Sequence, residues 1–145
     1  RIEADGIEAF VDEWLAQPLF ASQRRLGREF VAAQRRQRLC NDARALAASL
    51  RGLGPGAQPP LFDDLARLDV PVLLVVGALD RAFVAHARDL ERRLPDAAVC
   101  EIADSGHAVH LEQPAAFIGL AREFLGMAGR PAQYTDPNPG EETAS

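Results

Sequence analysis

Lysine is absent from this 145-residue chain, and all sixteen basic residues are arginine. Together with the many alanines, that bias reads as genomic composition rather than as function. The basic residues are outnumbered by 21 Asp and Glu, giving a net charge of -5, which argues against a nucleic-acid partner. The only two cysteines, Cys40 and Cys100, stand in unrelated contexts and form no metal-type cluster, so the default is a reduced, cytoplasmic protein. Long apolar runs are missing too. The longest, at residues 70–76, is interrupted by Pro71 and is far short of a membrane span. No secretory signal opens the sequence. The one methionine is Met127 and residue 1 is Arg, so the chain is expected to be a processed product or part of a longer polypeptide. What is present, 48% hydrophobic residues, is ordinary for one globular domain or a large piece of one.

Along the chain, Ile7, Phe10, Val11, Trp14 and Leu15 fall at helical spacing ahead of Pro18, predicting a helix over residues 7–16. A second helix is expected over residues 22–39, its apolar positions Leu26, Phe30, Val31 and Leu39 interleaved with arginines. A third follows the N-cap pair Asn41-Asp42 and stops at the Gly52/Gly54/Gly56 cluster. Those glycines faintly suggest a phosphate loop, but no strand precedes them. The pattern then changes. A short helix at residues 61–68 leads into the β-branched run at 70–76, which is the signature of a buried parallel strand. A helix carrying Phe83, Ala87, Leu90 and Leu94, a second strand at 97–102, and a last helix carrying Phe117, Ala121, Phe124 and Leu125 complete a βαβα unit. Residues 130–145, rich in Pro, Gly and acid, read as a disordered tail. Two strands do not make an independently stable sheet, so further strands are expected from elsewhere.

Functional groups gather at the carboxyl ends of strands in open α/β sheets. Asp80 follows the first strand and His107 the second, so neighbouring strands would bring a carboxylate to one imidazole nitrogen, fixing its tautomer and stabilising an imidazolium. Asp80 also has the position of a helix N-cap, and His107 that of a loop histidine bonded to backbone. In the same loop, His110 reads as structural, and Glu112 and Pro114 as helix-start residues. A His107/His110 metal pair lacks a third ligand, so no metal is expected. Such a dyad serves a nucleophile. Of the serines Ser22, Ser49, Ser105 and Ser145, none lies in a Gly-x-Ser-x-Gly elbow, and Ser105 is too near His107 in sequence to serve it.

The segment 71–80, Pro-Val-Leu-Leu-Val-Val-Gly-x-x-Asp, paired with Ser105-Gly106-His107-x-Val109-His110-x-Glu112-x-Pro114, resembles the C-terminal half of the α/β-hydrolase-fold enzymes. Within them the chain is most similar to the 2-succinyl-6-hydroxy-2,4-cyclohexadiene-1-carboxylate synthase family of menaquinone biosynthesis, through Trp14-Leu15-Ala16-Gln17-Pro18-Leu19-Phe20, Arg38-Leu39-x-Asn41-Asp42, the stretch 49–59, and Phe83 three after the aspartate. Ala43 stands where relatives often carry Pro. The resemblance spans about residues 5–126. It implies an α/β fold organised as a helical cap over residues 1–56, a βαβα part of the hydrolase core over 57–129, and the tail. A lyase that eliminates pyruvate with a Ser-His-Asp array and no cofactor is implied, in which Asp80 orients His107 and the serine lies in a missing N-terminal half. Trp14, Arg38 and Phe83 become contacts to a small anionic substrate, since an arginine fork binds carboxylates bidentately. From the residues alone, Trp14 also suits core packing, Arg35 or Arg36 could take the place of Arg38, and Arg51 suits a structural role. A generic ester or carbon–carbon hydrolase on the same fold, or an isolated chain without activity, are the alternatives.

Overall fold

The computed structural model describes residues 2–127, so the tail expected at 130–145 lies outside the described residues. The chain divides into two compact units, one ending at Leu61 and the next beginning at Phe62.

Three helices build the first unit: α1 (Ile2–Ala16), α2 (Arg28–Leu39) and α3 (Ala43–Leu53). Before Gly6, which is non-helical (φ 82°), lies one further turn of α1 that the apolar spacing from Ile7 did not reveal. The helix expected over 22–39 is not continuous. A 3₁₀ segment, Pro18–Leu26, is opened by its proline and ends at Gly27, whose φ of 96° no α-helix contains. Only a residue without Cβ takes that angle cheaply, so α2 starts afresh at Arg28, with Val31 N–H donating to the Gly27 carbonyl at 3.2 Å. Asp42 caps α3 as its sequence position suggests, its Oδ1 accepting from Ala45 N–H at 2.8 Å.

Val11 and Phe20 are buried in this unit, and the Trp14 ring lies between Phe10 (centroids 6.0 Å apart, stacked) and Phe20 (5.9 Å, tilted). Paired guanidinium–carboxylate bonds tie the helices: Arg35 donates to both oxygens of Asp12 (2.6 and 3.0 Å), joining α2 to α1. Arg51 donates to both oxygens of Glu3 (2.8 and 3.3 Å), joining α3 to α1. The hydrogen bond from Arg35 holds the Asp12 carboxyl below its ordinary range, and Arg51 does the same for Glu3.

In the second unit, a 3₁₀ turn (Phe62–Arg67) precedes β1 (Val72–Gly77), α4 (Arg81–Arg93), β2 (Ala97–Ile102), the single turn α5 (Val109–Glu112) and α6 (Pro114–Met127). The strands pair in parallel, with Val72 opposite Ala97 and Gly77 opposite Ile102. Pairing starts later than the apolar run because Pro71 has no N–H to give, and Val72 donates the first bond, to the Asp96 carbonyl at 2.9 Å. Ala87, Val99, Cys100, Ala108, Val109 and Leu120 form the buried core. Residues 72–76 of β1, expected to be fully buried, are only half-buried. A strand of this composition is covered by neighbours on both edges and helices on both faces, and among the described residues β1 pairs with β2 alone. The outer side of β2 is linked to α4 by Glu91, which accepts from Val99 N–H at 2.9 Å, and by the bond from Arg88 to Glu101, also 2.9 Å.

Candidate active site

The parallel register sets the two loops side by side. Because Gly77 and Ile102 are paired, the chain leaves both strands at the same level, and the turn after β1 is stitched to the loop after β2. Ala78 N–H donates to the Ile102 carbonyl and Leu79 N–H to the Ser105 carbonyl, both at 2.9 Å. The loops approach so closely that a Cβ on Gly77 would lie 2.2 Å from the Gly106 carbonyl oxygen and 2.4 Å from that of Ser105. Glycine is required there by contact, since Gly77 has no positive φ to demand it. The left-handed conformation falls instead on Asp104 (φ 51°), a residue type that tolerates it.

Across this junction Asp80 Oδ2 lies 2.9 Å from His107 Nδ1. The carboxylate is nearly buried, at 11% side-chain exposure, whereas the imidazole is open at 30%. Asp80 performs both tasks that its position allowed. Its Oδ1 accepts from Phe83 N–H at 3.3 Å as the N-cap of α4, while Oδ2 reaches the imidazole. The helix start thereby locks the carboxylate that faces the ring. Phe83, half-exposed, sets its ring edge-on to His107 with centroids 4.5 Å apart. The dyad therefore has a fixed carboxylate on one side and an aromatic wall on another.

Glu112 was expected to serve a helix start, but it ends α5 and its side chain turns back into the loop. It is buried, accepting from Gly106 N–H on Oε2 (2.9 Å) and from Ala108 N–H on Oε1 (3.3 Å). Spacing in sequence hid this role, because a helix is not evident between His107 and Pro114. Ser105 is completely buried and its Oγ has no hydrogen-bond partner among the described residues, so it is no accessible nucleophile. His110 stands apart, exposed against the Phe117 ring at 6.1 Å. Trp14 and Arg38 belong to the first unit. Trp14 sits in the aromatic cluster at 38% exposure, and Arg38 bonds within its own helix to the Gln34 carbonyl (3.0 Å) and side-chain oxygen (2.7 Å). Arg35 and Arg51 are taken up by the helix-joining pairs. Among the described residues no group of three metal-ligating side chains is assembled, and no helix is long and apolar enough to cross a membrane.

A model of the alpha/beta hydrolase family matches residues 2–120. The chain belongs to that family. Its fold is a part of the α/β hydrolase architecture, with a small parallel sheet among helices. It is 42% identical over 121 residues to a protein of Bacillus subtilis (strain 168) provisionally named 2-succinyl-6-hydroxy-2,4-cyclohexadiene-1-carboxylate synthase, covering 83% of this chain and 44% of the relative. A relative from Salmonella heidelberg (strain SL476), named as that synthase, is 31% identical, with 86% of this chain and 46% of the relative covered. The solved structure of MenH from S. aureus superposes with a TM-score of 0.85 at 33% identity, over 88% of this chain and 48% of that one. The chain thus spans about half the length of the curated relatives it matches, and the family resemblance seen in the sequence motifs is that of its relatives.

Proposed function

We propose that this chain is the histidine-bearing portion of an α/β-hydrolase-fold lyase, which eliminates pyruvate to form 2-succinyl-6-hydroxy-2,4-cyclohexadiene-1-carboxylate. The reading rests above all on the 2.9 Å contact between Asp80 Oδ2 and His107 Nδ1 at the carboxyl ends of two paired strands, in a chain whose relatives carry that name. Asp80 holds the tautomer with the proton on Nδ1 and balances the charge when the imidazole becomes imidazolium. Nε2 then takes the proton of a serine contributed by the rest of the fold, the serine oxygen removes a proton from the substrate carbon, and the electron pair left there forms the new ring double bond as the carbon–oxygen bond breaks. The three-carbon group leaves as an enolate, which becomes pyruvate on taking up a proton from the imidazolium. Within this reading the rest of the sheet adds to β1, whose half-buried apolar residues match a strand with neighbours on both edges. Residues 1–56 form the cap, in which Trp14 and Arg38, with Phe83 beside the dyad, contact a small anionic substrate. The protein works in the cytoplasm without cofactor or metal.

Incubating the full-length protein with the enolpyruvyl-bearing intermediate and following pyruvate release tests the proposal. Release that depends on His107 and Asp80 is expected. Absence of release, with turnover of small activated esters in its place, would convert the reading to a hydrolase on the same fold. A fluorophosphonate probe is expected to label the full-length protein on a serine and to leave this chain alone unlabelled.

A further inference from the structure

Three elements converge on the tripeptide Gly106-His107-Ala108, and one of them is a buried charge that the relay itself does not use. Glu112 is 8% exposed and lies at the end of a single helical turn. Its two carboxylate oxygens accept from the amides on either side of His107, those of Gly106 (2.9 Å) and Ala108 (3.3 Å). Its own N–H donates back to the Ala108 carbonyl at 2.9 Å, so side chain and backbone close a ring around that residue. Upstream, the Ser105 carbonyl accepts from Leu79 N–H (2.9 Å), which joins the tripeptide to the turn that carries Asp80.

The backbone that bears the imidazole is therefore pinned on both flanks, while the ring is pinned by Asp80. A carboxylate is the group that suits this place. Each amide takes a different oxygen of the side chain, and a carboxylate presents an acceptor at both places; charge-assisted bonds of this kind are stronger than neutral ones. A glutamine would offer one oxygen and turn an NH₂ towards the second amide. An aspartate, one methylene shorter, would not span the same distance from α5.

We propose that Glu112 is a positioning residue for His107, holding the imidazole at the distance and angle the relay needs by clamping its two flanking amides. The inference rests on reading Asp80 and His107 as an acid/base relay. Proximity effects set its size, since a displacement of about 1 Å in a catalytic group costs about 10²-fold in rate.

The test compares full-length wild-type protein with Glu112→Gln, Glu112→Asp and Glu112→Ala. For Glu112→Gln the expected result is a fall in kcat of about 10²-fold with KM within about twofold, in protein that still unfolds cooperatively. Glu112→Asp, too short to reach both amides, should lose rate much as Gln does, and Glu112→Ala should match Gln in kcat while melting lower. The second readout does not depend on the substrate. In proton NMR the Nδ1–H of His107, identified by its loss in His107→Asn, should be a slowly exchanging downfield signal in wild type and broadened or lost in Glu112→Gln. An unchanged signal in Glu112→Gln would overturn the proposal even if the substrate assignment were right. A rate loss that only tracks the unfolded fraction would do the same. If pyruvate is not the product, the NMR comparison still decides the role of Glu112, so the two readings fail separately.

Discussion

Both units of this chain carry exposed arginine–carboxylate pairs, but the α/β unit also puts carboxylates to a use the helical unit does not. In the helical unit, carboxylates meet guanidinium groups on the surface: Asp12 with Arg35 and Glu3 with Arg51, each pair at least 39% exposed on both sides. Such pairs join helices but sit in water, where screening and side-chain entropy leave little net gain. In the α/β unit the carboxylates that matter face inward. Asp80 and Glu112 are nearly buried and spend their four oxygens on the His107 imidazole and on three backbone amides, those of Phe83, Gly106 and Ala108. A charge at the surface of the first unit can be lost with little consequence, whereas one in the second fixes the position of another group. The contrast is of environment rather than residue type, since both units use Asp and Glu.

Breaking the dyad should have the largest effect. His107→Ala or Asp80→Asn in the full-length protein is expected to lower kcat by about 10³–10⁴-fold with little change in KM, measured as pyruvate release. Asp80→Asn keeps the N-cap of α4, so its thermal midpoint should stay near wild type; a large drop would mean that Asp80 is chiefly a cap. Next comes Gly77→Ala, which drives a methyl group into the Ser105 and Gly106 carbonyls. Overpacking of this kind costs about 1–3 kcal/mol, read by urea denaturation, and here it should also lower kcat because the displaced backbone carries His107. In the helical unit, Asp42→Ala removes the α3 cap and should cost about 1 kcal/mol by the same measurement, with activity per folded molecule unchanged.

The smallest effect is electrostatic. Arg35 lowers the folded-state pKa of Asp12 beneath its ordinary 3.8, first through the hydrogen bond and then through charge. Stability from that pair is therefore present above the ordinary value and is lost as pH falls through the lowered one. Wild type should exceed Asp12→Asn in stability near neutral pH, and the gap should close under acid and shrink with added salt. A gap of the same size at both ends of the pH scale would show that packing, not charge, holds the two helices.

Much of the site was legible because it lies where strands end. A β-branched run stopped by glycine, a second run of similar length, and an Asp and a His shortly after each require only the parallel pairing to bring those side chains together. The misses have a common cause. Gly27 looked like one more residue in an Arg-rich helical pattern, because periodicity counts side chains and is blind to φ. Glu112 carried the ordinary signature of a helix start, and its reach back to Gly106 depends on a single turn whose existence is set by the loop around it. Val72 to Val76 read as buried from composition, but burial depends on what packs against the strand as well as on what it is made of.

By itself the sequence determined the α/β character of residues 62–127, the helical character of the segment before it, the capping of α3 by Asp42, and the placing of Asp80 and His107 just past the ends of two strands, because each follows from local pattern and strand order. Tertiary structure alone decided that Asp80 serves ring and helix at once, that Gly77 is demanded by a neighbouring backbone, and that a buried Glu112 grips both amides beside His107. The physical reason is range. Propensity and periodicity act between residues a turn or a pleat apart, whereas these contacts need two loops brought within hydrogen-bonding distance by a sheet register that no single segment specifies.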